Sequence, residues 1–210
     1  VLGQTPEDVK VGLVLSGGGA KAFAHIGVLK EIEAAGLRID YIGGTSMGAV
    51  IGGLYAAGYS AHQLDSLFNT FDFNAILTDD LPRQTRSITE KAESDRYVIT
   101  FPFDGKKLTL PSGLSRGHNA YNILSKLLLP VRDVTDFRDL PIPFLCIATD
   151  AEKGTQVILD HGYLPRALTA SSALPTIVQP ILMDGILHID GGVVNNYPVA
   201  EIRAMGAEVI

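Results

Sequence analysis

Apolar residues fall along this chain in short groups whose spacing alternates between that of strands and that of helices. The first group, Val11-Gly-Leu-Val-Leu15, is a continuous apolar run suited to a buried parallel strand. After Ser16-Gly-Gly-Gly19 the period lengthens. Phe23, Ile26, Leu29 and Ile32 recur at threes and fours, predicting a helix over Ala22–Ala35 with Gly36 as its left-handed cap. A second strand is expected over Arg38–Ile42, broken by Gly43-Gly-Thr-Ser-Met-Gly48, and a second helix over Ala49–Ala57. Strand, tight turn and helix, twice over, predict an α/β fold with a parallel sheet.

Further along, Ser60-Ala-His-Gln63 has the form of a capping box opening a third helix toward Phe68. Residues 72–95 are polar with weak periodicity and are expected to be irregular. Tyr97–Phe103 and Lys107–Leu110 predict a hairpin around Asp104-Gly105. A helix follows over Gly117–Leu129, stopped by Pro130, and strands over Phe144–Thr149 and Gln156–Asp160 flank a turn at Glu152-Lys-Gly154. Leu164–Ser172 reads as helix, Ile186–Ile189 as a short strand and Val199–Met205 as a last helix.

Composition narrows the function classes. The 210 residues are 46 % hydrophobic and 19 % charged, a balance that supports one well-buried domain. No repeat or linker divides it, so a single domain is expected over 1–210. The net charge of −6 and the lack of a basic stripe exclude a dedicated nucleic-acid partner and electrostatic capture by anionic lipid. Any membrane contact would be peripheral, hydrophobic and local. The single cysteine, Cys146, sits in an apolar run and reads as core, leaving no disulfide and no Cys-rich metal site. Met47–Gly58, the longest strongly apolar run, is too short and glycine-rich to span a bilayer. Val1 does not read as a natural start and Glu208-Val-Ile210 reads as the beginning of a strand, so the chain is expected to be part of a longer one, with a leader or a further domain beyond either end.

Two glycine motifs carry chemistry. Gly17, Gly19 and Ala22 fit the G-x-G-x-x-G/A dinucleotide fingerprint, with Asp40 near the place of a ribose-binding acid. That acid should end the second strand, whereas Asp40 precedes the apolar Tyr41-Ile42. What ends the strand is Gly44-Thr45-Ser46-Met47-Gly48, a G-x-S-x-G pattern that exposes a serine on a strained strand-to-helix turn. The first loop then acquires another use: backbone N–H groups of Gly17, Gly18 and Gly19 at a helix start suit an oxyanion hole, with Lys21 adding positive charge.

A nucleophilic serine needs a base within hydrogen-bond reach. Of the five histidines, His25, His62, His118 and His161 fall in helices or turns, and His188 on the short strand is the one suited to a conventional triad. Two residues later comes Asp190-Gly191-Gly192, an aspartate at a strand end with room on one side. Alone it fits a helix cap as well as a base. Beside the elbow and the glycine loop it fits a base.

Gly17-Gly-Gly-Ala-Lys21, Gly44-Thr-Ser-Met-Gly48 and Asp190-Gly-Gly192, in that order, resemble the three hallmark blocks of the patatin-like phospholipases, and Ala170-Ser-Ser-Ala-Leu-Pro175 is also familiar from the family. The resemblance runs from about Val11 to Ile210. It implies a three-layer α/β sandwich with a mostly parallel central sheet and a nucleophile elbow between a strand and a helix. It also implies a cofactor- and metal-free acyl hydrolase acting on phospholipid or other acyl-ester lipids. Ser46 is then the nucleophile, Asp190 the base, Gly17, Gly18 and Gly19 the oxyanion loop, and Lys21, Gly44, Gly48, Gly191 and Gly192 supporting residues. The family often has glycine after the lysine, where this chain has Ala22. Barrel-linked bacterial members make an envelope or secreted location the expected one. The competing expectations are a non-catalytic binding or assembly domain and a dinucleotide-binding module. The hairpin at Gly105 and the helix ending in Leu127-Leu-Leu129 are candidates for a lipid-facing rim, with core packing an equal reading of those leucines.

Overall fold

The computed structural model describes residues 9–79 and 113–210. In chain order the elements are β1 (Gly12–Leu15), α1 (Ala24–Ala34), β2 (Tyr41–Thr45), α2 (Met47–Ala56), α3 (Ala61–Thr70), α4 (Phe73–Thr78), β3 (Gly113–Ser115) and α5 (His118–Leu127). They continue with β4 (Phe144–Asp150), β5 (Thr155–Leu159), α6 (Leu164–Ser171), β6 (Thr176–Val178), β7 (Ile181–Met183), β8 (Ile186–Asp190) and α7 (Val199–Ala204). The hairpin expected around Gly105 lies outside the described residues.

The expected α/β architecture is present, with helices on both faces of a six-stranded sheet of order β1-β2-β4-β8-β7 and β5 pairing β4. The sheet is mixed. β1, β2 and β4 form its parallel half, whereas β5 and β8 both run antiparallel to β4. Side chains alternate across it as a strand requires. Ile42, Phe144, Cys146 and Ala148 belong to the main core, beneath α1, α2, α3 and α6. Leu145 and Ile147 face the other way, onto Ile202 of α7 and Ala207. Cys146 is fully buried there and burial pushes its thiol pKa up, as a packing role requires.

The topology of β4 brings two distant chain segments together. β5 holds one edge over Cys146–Asp150, so β2 and β8 must share the other. β2 pairs parallel with Phe144–Ile147 and β8 antiparallel with Ala148–Asp150. The two strands therefore run toward each other along one edge. Their C-terminal ends, Thr45 opposite Ile147 and Asp190 opposite Ala148, meet head to head.

Several boundaries differ from those read in the sequence. β2 runs through the glycines to Thr45 instead of stopping at Ile42, because a Cβ at Gly43 would lie 2.5 Å from Ile202 and one at Gly44 2.5 Å from Ala49. Those glycines let α7 and α2 lie close on opposite faces of the strand. The short helix α4 occupies part of the stretch expected to be irregular; Phe73, on that helix, packs against the rings of Phe23 and Phe68, a tertiary contact that local polarity does not reveal. Gly36 adopts the expected left-handed conformation, and Ser60 and Gln63 form both halves of the capping box. Leu124 and Leu128 at the end of α5 are core, while Leu129 is exposed. Val209 bridges to Val11 in parallel, extending the sheet as the apolar Val-Ile pair suggested.

Candidate active site

Ser46 sits at the turn between β2 and α2 with φ 57° and ψ −127°, a backbone conformation that non-glycine residues adopt at a cost of about 1–3 kcal/mol. The surroundings hold it there. The Ser46 N–H donates to Ser171 Oγ at 3.0 Å, and Ser171 Oγ donates in turn to the Ile147 carbonyl at 2.6 Å. The Ser46 carbonyl accepts from Ala49 and Val50 at the start of α2. Gly48 is where the turn passes closest to β1: a Cβ there would collide with the Leu15 and Ser16 carbonyls. The result is an elbow with the serine oxygen aimed away from the helix.

That oxygen donates to Asp190 Oδ2 at 2.5 Å, the short distance of an O–H to carboxylate contact. The other carboxylate oxygen accepts from the Gly192 N–H at 2.7 Å. The Asp190 backbone is fixed as well, its N–H donating to Ala173 O at 2.9 Å and its carbonyl accepting from Thr149 Oγ1 at 2.8 Å. Asp190 is 3 % exposed. Burial raises its pKa above the usual carboxylate value, only partly offset by the hydrogen bonds from Ser46 and Gly192. Gly191 lies against the Ile147 carbonyl, leaving no room for a side chain, so the 3₁₀ turn Gly191–Val193 stays tight on β4.

His188 does not complete a triad. It is buried opposite Asp150 on β4, and Asp190 takes its hydrogen bonds from Ser46 and Gly192. Its Nδ1 has no partner among the described residues, and burial lowers its pKa. His25 is nearer the loop, with Nε2 3.0 Å from the Ser16 carbonyl. His161 pairs with Asp160 on the surface.

The glycine loop departs in one respect from its reading in the sequence. Gly17 approaches the elbow so closely that a Cβ would lie 2.7 Å from Ser46 Cβ, yet its N–H is already engaged, donating to Asn196 Oδ1 at 2.8 Å. It is not a free oxyanion donor. The N–H groups of Gly18 and Gly19 have no backbone partner among the described residues, and Gly19 opens a 3₁₀ turn through Phe23. Lys21 is exposed on that turn. Asp40 precedes β2 and accepts from the Val11 N–H at 2.9 Å beside Lys10, tying the strand starts together. Among the described residues no three His, Cys, Asp or Glu side chains converge as a metal site.

Sequence spacing does not single out Ser171, Thr149 or Asn196. Ser171 lies in the familiar Ala170–Pro175 block, without a chemical signature of its own. It links the Ser46 backbone to β4 and is wholly buried. Ser171→Ala leaves the Ser46 N–H unpaired and should cost about 1–3 kcal/mol, a loss of several degrees in melting temperature checked by calorimetry.

The chain matches the family model described as patatin-like phospholipase over residues 13–202. It is 34 % identical over 200 residues to the lysophospholipase NTE1 of Coccidioides immitis and 32 % identical over 200 residues to that of Emericella nidulans. Each alignment covers 95 % of this chain and 11 % of the relative, so the chain spans about a tenth of the length of those proteins. Among solved structures, VipD from Legionella pneumophila superposes with a TM-score of 0.56 at 16 % identity, covering 89 % of this chain and 46 % of that one. Full-length ExoU of Pseudomonas aeruginosa, in complex with SpcU, gives 0.53 at 17 % identity, covering 80 % and 39 %.

Proposed function

The chain belongs to the patatin-like phospholipase family, and from that premise we propose that it is a serine lipid acyl hydrolase of the phospholipase A or lysophospholipase type, working through a Ser46–Asp190 dyad. The observation that carries the reading is the 2.5 Å contact between Ser46 Oγ and a buried carboxylate across the elbow. Asp190 accepts the Ser46 proton as Oγ attacks the ester carbonyl, and the N–H groups of Gly18 and Gly19 stabilise the developing oxyanion. Collapse of the tetrahedral intermediate expels the alcohol, which takes the proton from Asp190 and leaves the acyl group on Ser46. Water then attacks the acyl-enzyme, giving its proton to Asp190. Release of the fatty acid returns that proton to Ser46. Desolvation suits Asp190 to this work, since a carboxylate in its ordinary range is a weak base.

Substrate class follows from what surrounds the dyad. Val193, Val194 and Tyr197, on the segment just after Asp190, and Leu174, beside the carbonyl that binds the Asp190 backbone, are all exposed. We read these exposed apolar side chains as suited to acyl chains and to peripheral, hydrophobic contact with a lipid surface. The net charge of −6 disfavours electrostatic attraction to anionic lipid. Lysophospholipid micelles and a fluorophosphonate probe test the reading. Fatty-acid release, with covalent labelling mapped to Ser46 by mass spectrometry, is the expected outcome. A folded protein that neither turns over ester nor accepts the probe would leave it a non-catalytic relative.

A further inference from the structure

We propose that Asn196 is a positioning residue that locks the oxyanion loop onto the segment carrying the base, an inference that rests on the dyad reading above. Its side chain brackets one peptide residue: Oδ1 accepts from the Gly17 N–H at 2.8 Å, and Nδ2 donates to the Gly17 carbonyl at 3.4 Å. An amide offers donor and acceptor side by side and without charge at neutral pH. The contact spans 179 residues of sequence and joins the two blocks that the chemistry requires together.

Gly17 has no side chain to pack, and the next two glycines must hold their N–H groups toward a single point. Asn196 sets that direction. It lies against Gly192 as well, where a Cβ would come within 3.3 Å of Asn196 Oδ1. The Gly192 N–H is the group that holds Asp190 Oδ1. One amide therefore hydrogen-bonds the oxyanion loop and borders the turn that orients the base.

The preceding residue anchors this amide from behind. Asn195 Nδ2 donates to Gln156 Oε1 at 2.8 Å and to Glu201 Oε1 at 3.1 Å, which fastens it to β5 and α7. Its carbonyl accepts from Thr45 Oγ1 at 3.0 Å, at the end of β2 next to the nucleophile. Asn195 grips the scaffold and Asn196 faces the loop. Rigid support of this sort keeps donors within the few tenths of an ångström that transition-state stabilisation needs.

The consequence is a loss in kcat with substrate binding intact. For Asn196→Ala, kcat should fall about a hundredfold while KM stays within about threefold of wild type. The isosteric Asn196→Asp keeps the packing but replaces the donor facing the Gly17 carbonyl with an oxygen, and should lose at least about tenfold in kcat. Both are measured on a p-nitrophenyl acyl ester beside wild type, with melting temperatures to show that each is folded. Folded variants that retain wild-type kcat, or that raise KM alone, would overturn the positioning role while leaving the dyad standing. A wild type without esterase activity would overturn both.

Discussion

Replacing Asp190 with asparagine is expected to lower kcat by about 10³–10⁴-fold and, at the same time, to raise the melting temperature. The catalytic half follows from the geometry. Ser46 Oγ has one carboxylate partner, at 2.5 Å, and an amide in its place offers no comparable proton acceptor in either acylation or deacylation. The stability half follows from the direction of the pKa shift. Asp190 has a folded-state pKa above its unfolded value, with burial as the largest cause. A group of this kind contributes stability that is fully present below the unfolded pKa and is lost as pH rises through the folded one. Ionising Asp190 therefore costs the fold stability, and the neutral amide removes that cost. The same shift fixes the acid limb of the rate. For wild type, kcat/KM should fall as pH drops through a value above the ordinary carboxylate range, because only ionised Asp190 accepts the proton. Calorimetry of both proteins at pH 7, with a pH–rate profile of wild type, checks the pair of effects. A less stable Asp190→Asn variant would show that the hydrogen bonds to ionised Asp190 outweigh its desolvation.

Gly48→Ala carries the largest expected effect on the fold itself, and two principles disagree about its sign. Gly48 lies in the first turn of α2, where alanine is favoured over glycine by about 1 kcal/mol on helix propensity. Against this stands steric exclusion. The new methyl would meet the carbonyls of Leu15 and Ser16, both backbone groups without a rotamer to relieve the contact. Relief requires α2 to move off β1, and with it the Ser46 turn. The steric term dominates, and a loss of about 4 kcal/mol or more is expected, the range reserved for core overpacking and backbone strain. For a domain of this size that corresponds to a fall in melting temperature of roughly 10 °C. Urea unfolding measures it directly, and an unchanged midpoint would mean that the elbow is far more compliant than its contacts imply.

How much of this was legible in the sequence depended on the range of the interaction concerned. The elbow, the capping box at Ser60 and the left-handed Gly36 are local features, set by residues within four positions of one another, and each stands where its pattern placed it. The end of β2 was misplaced because glycine reads as a breaker. Here Gly43 and Gly44 are strand residues chosen for the close approach of Ile202 and Ala49 from the two faces. The head-to-head meeting of β2 and β8 follows from β4 sharing one edge between a parallel and an antiparallel partner, an arrangement that strand periodicity does not encode. For the same reason the engagement of the Gly17 N–H was invisible: its partner Asn196 is distant in sequence and carries no spacing signal. His188, by contrast, was conspicuous two residues before Asp190, and its burial opposite Asp150 places it outside the Ser46–Asp190 contact.

The most direct test of the dyad is the hydrolysis of a p-nitrophenyl acyl series of rising chain length by wild type, Ser46→Ala, Asp190→Asn and His188→Ala, each shown to be folded. Activity that disappears with Ser46 or Asp190 and persists without His188 is the expected result, since Asp190 is the carboxylate bonded to Ser46. Activity that survives loss of Ser46, or that vanishes with His188 in a folded protein, would contradict it and move the proton transfer to another residue.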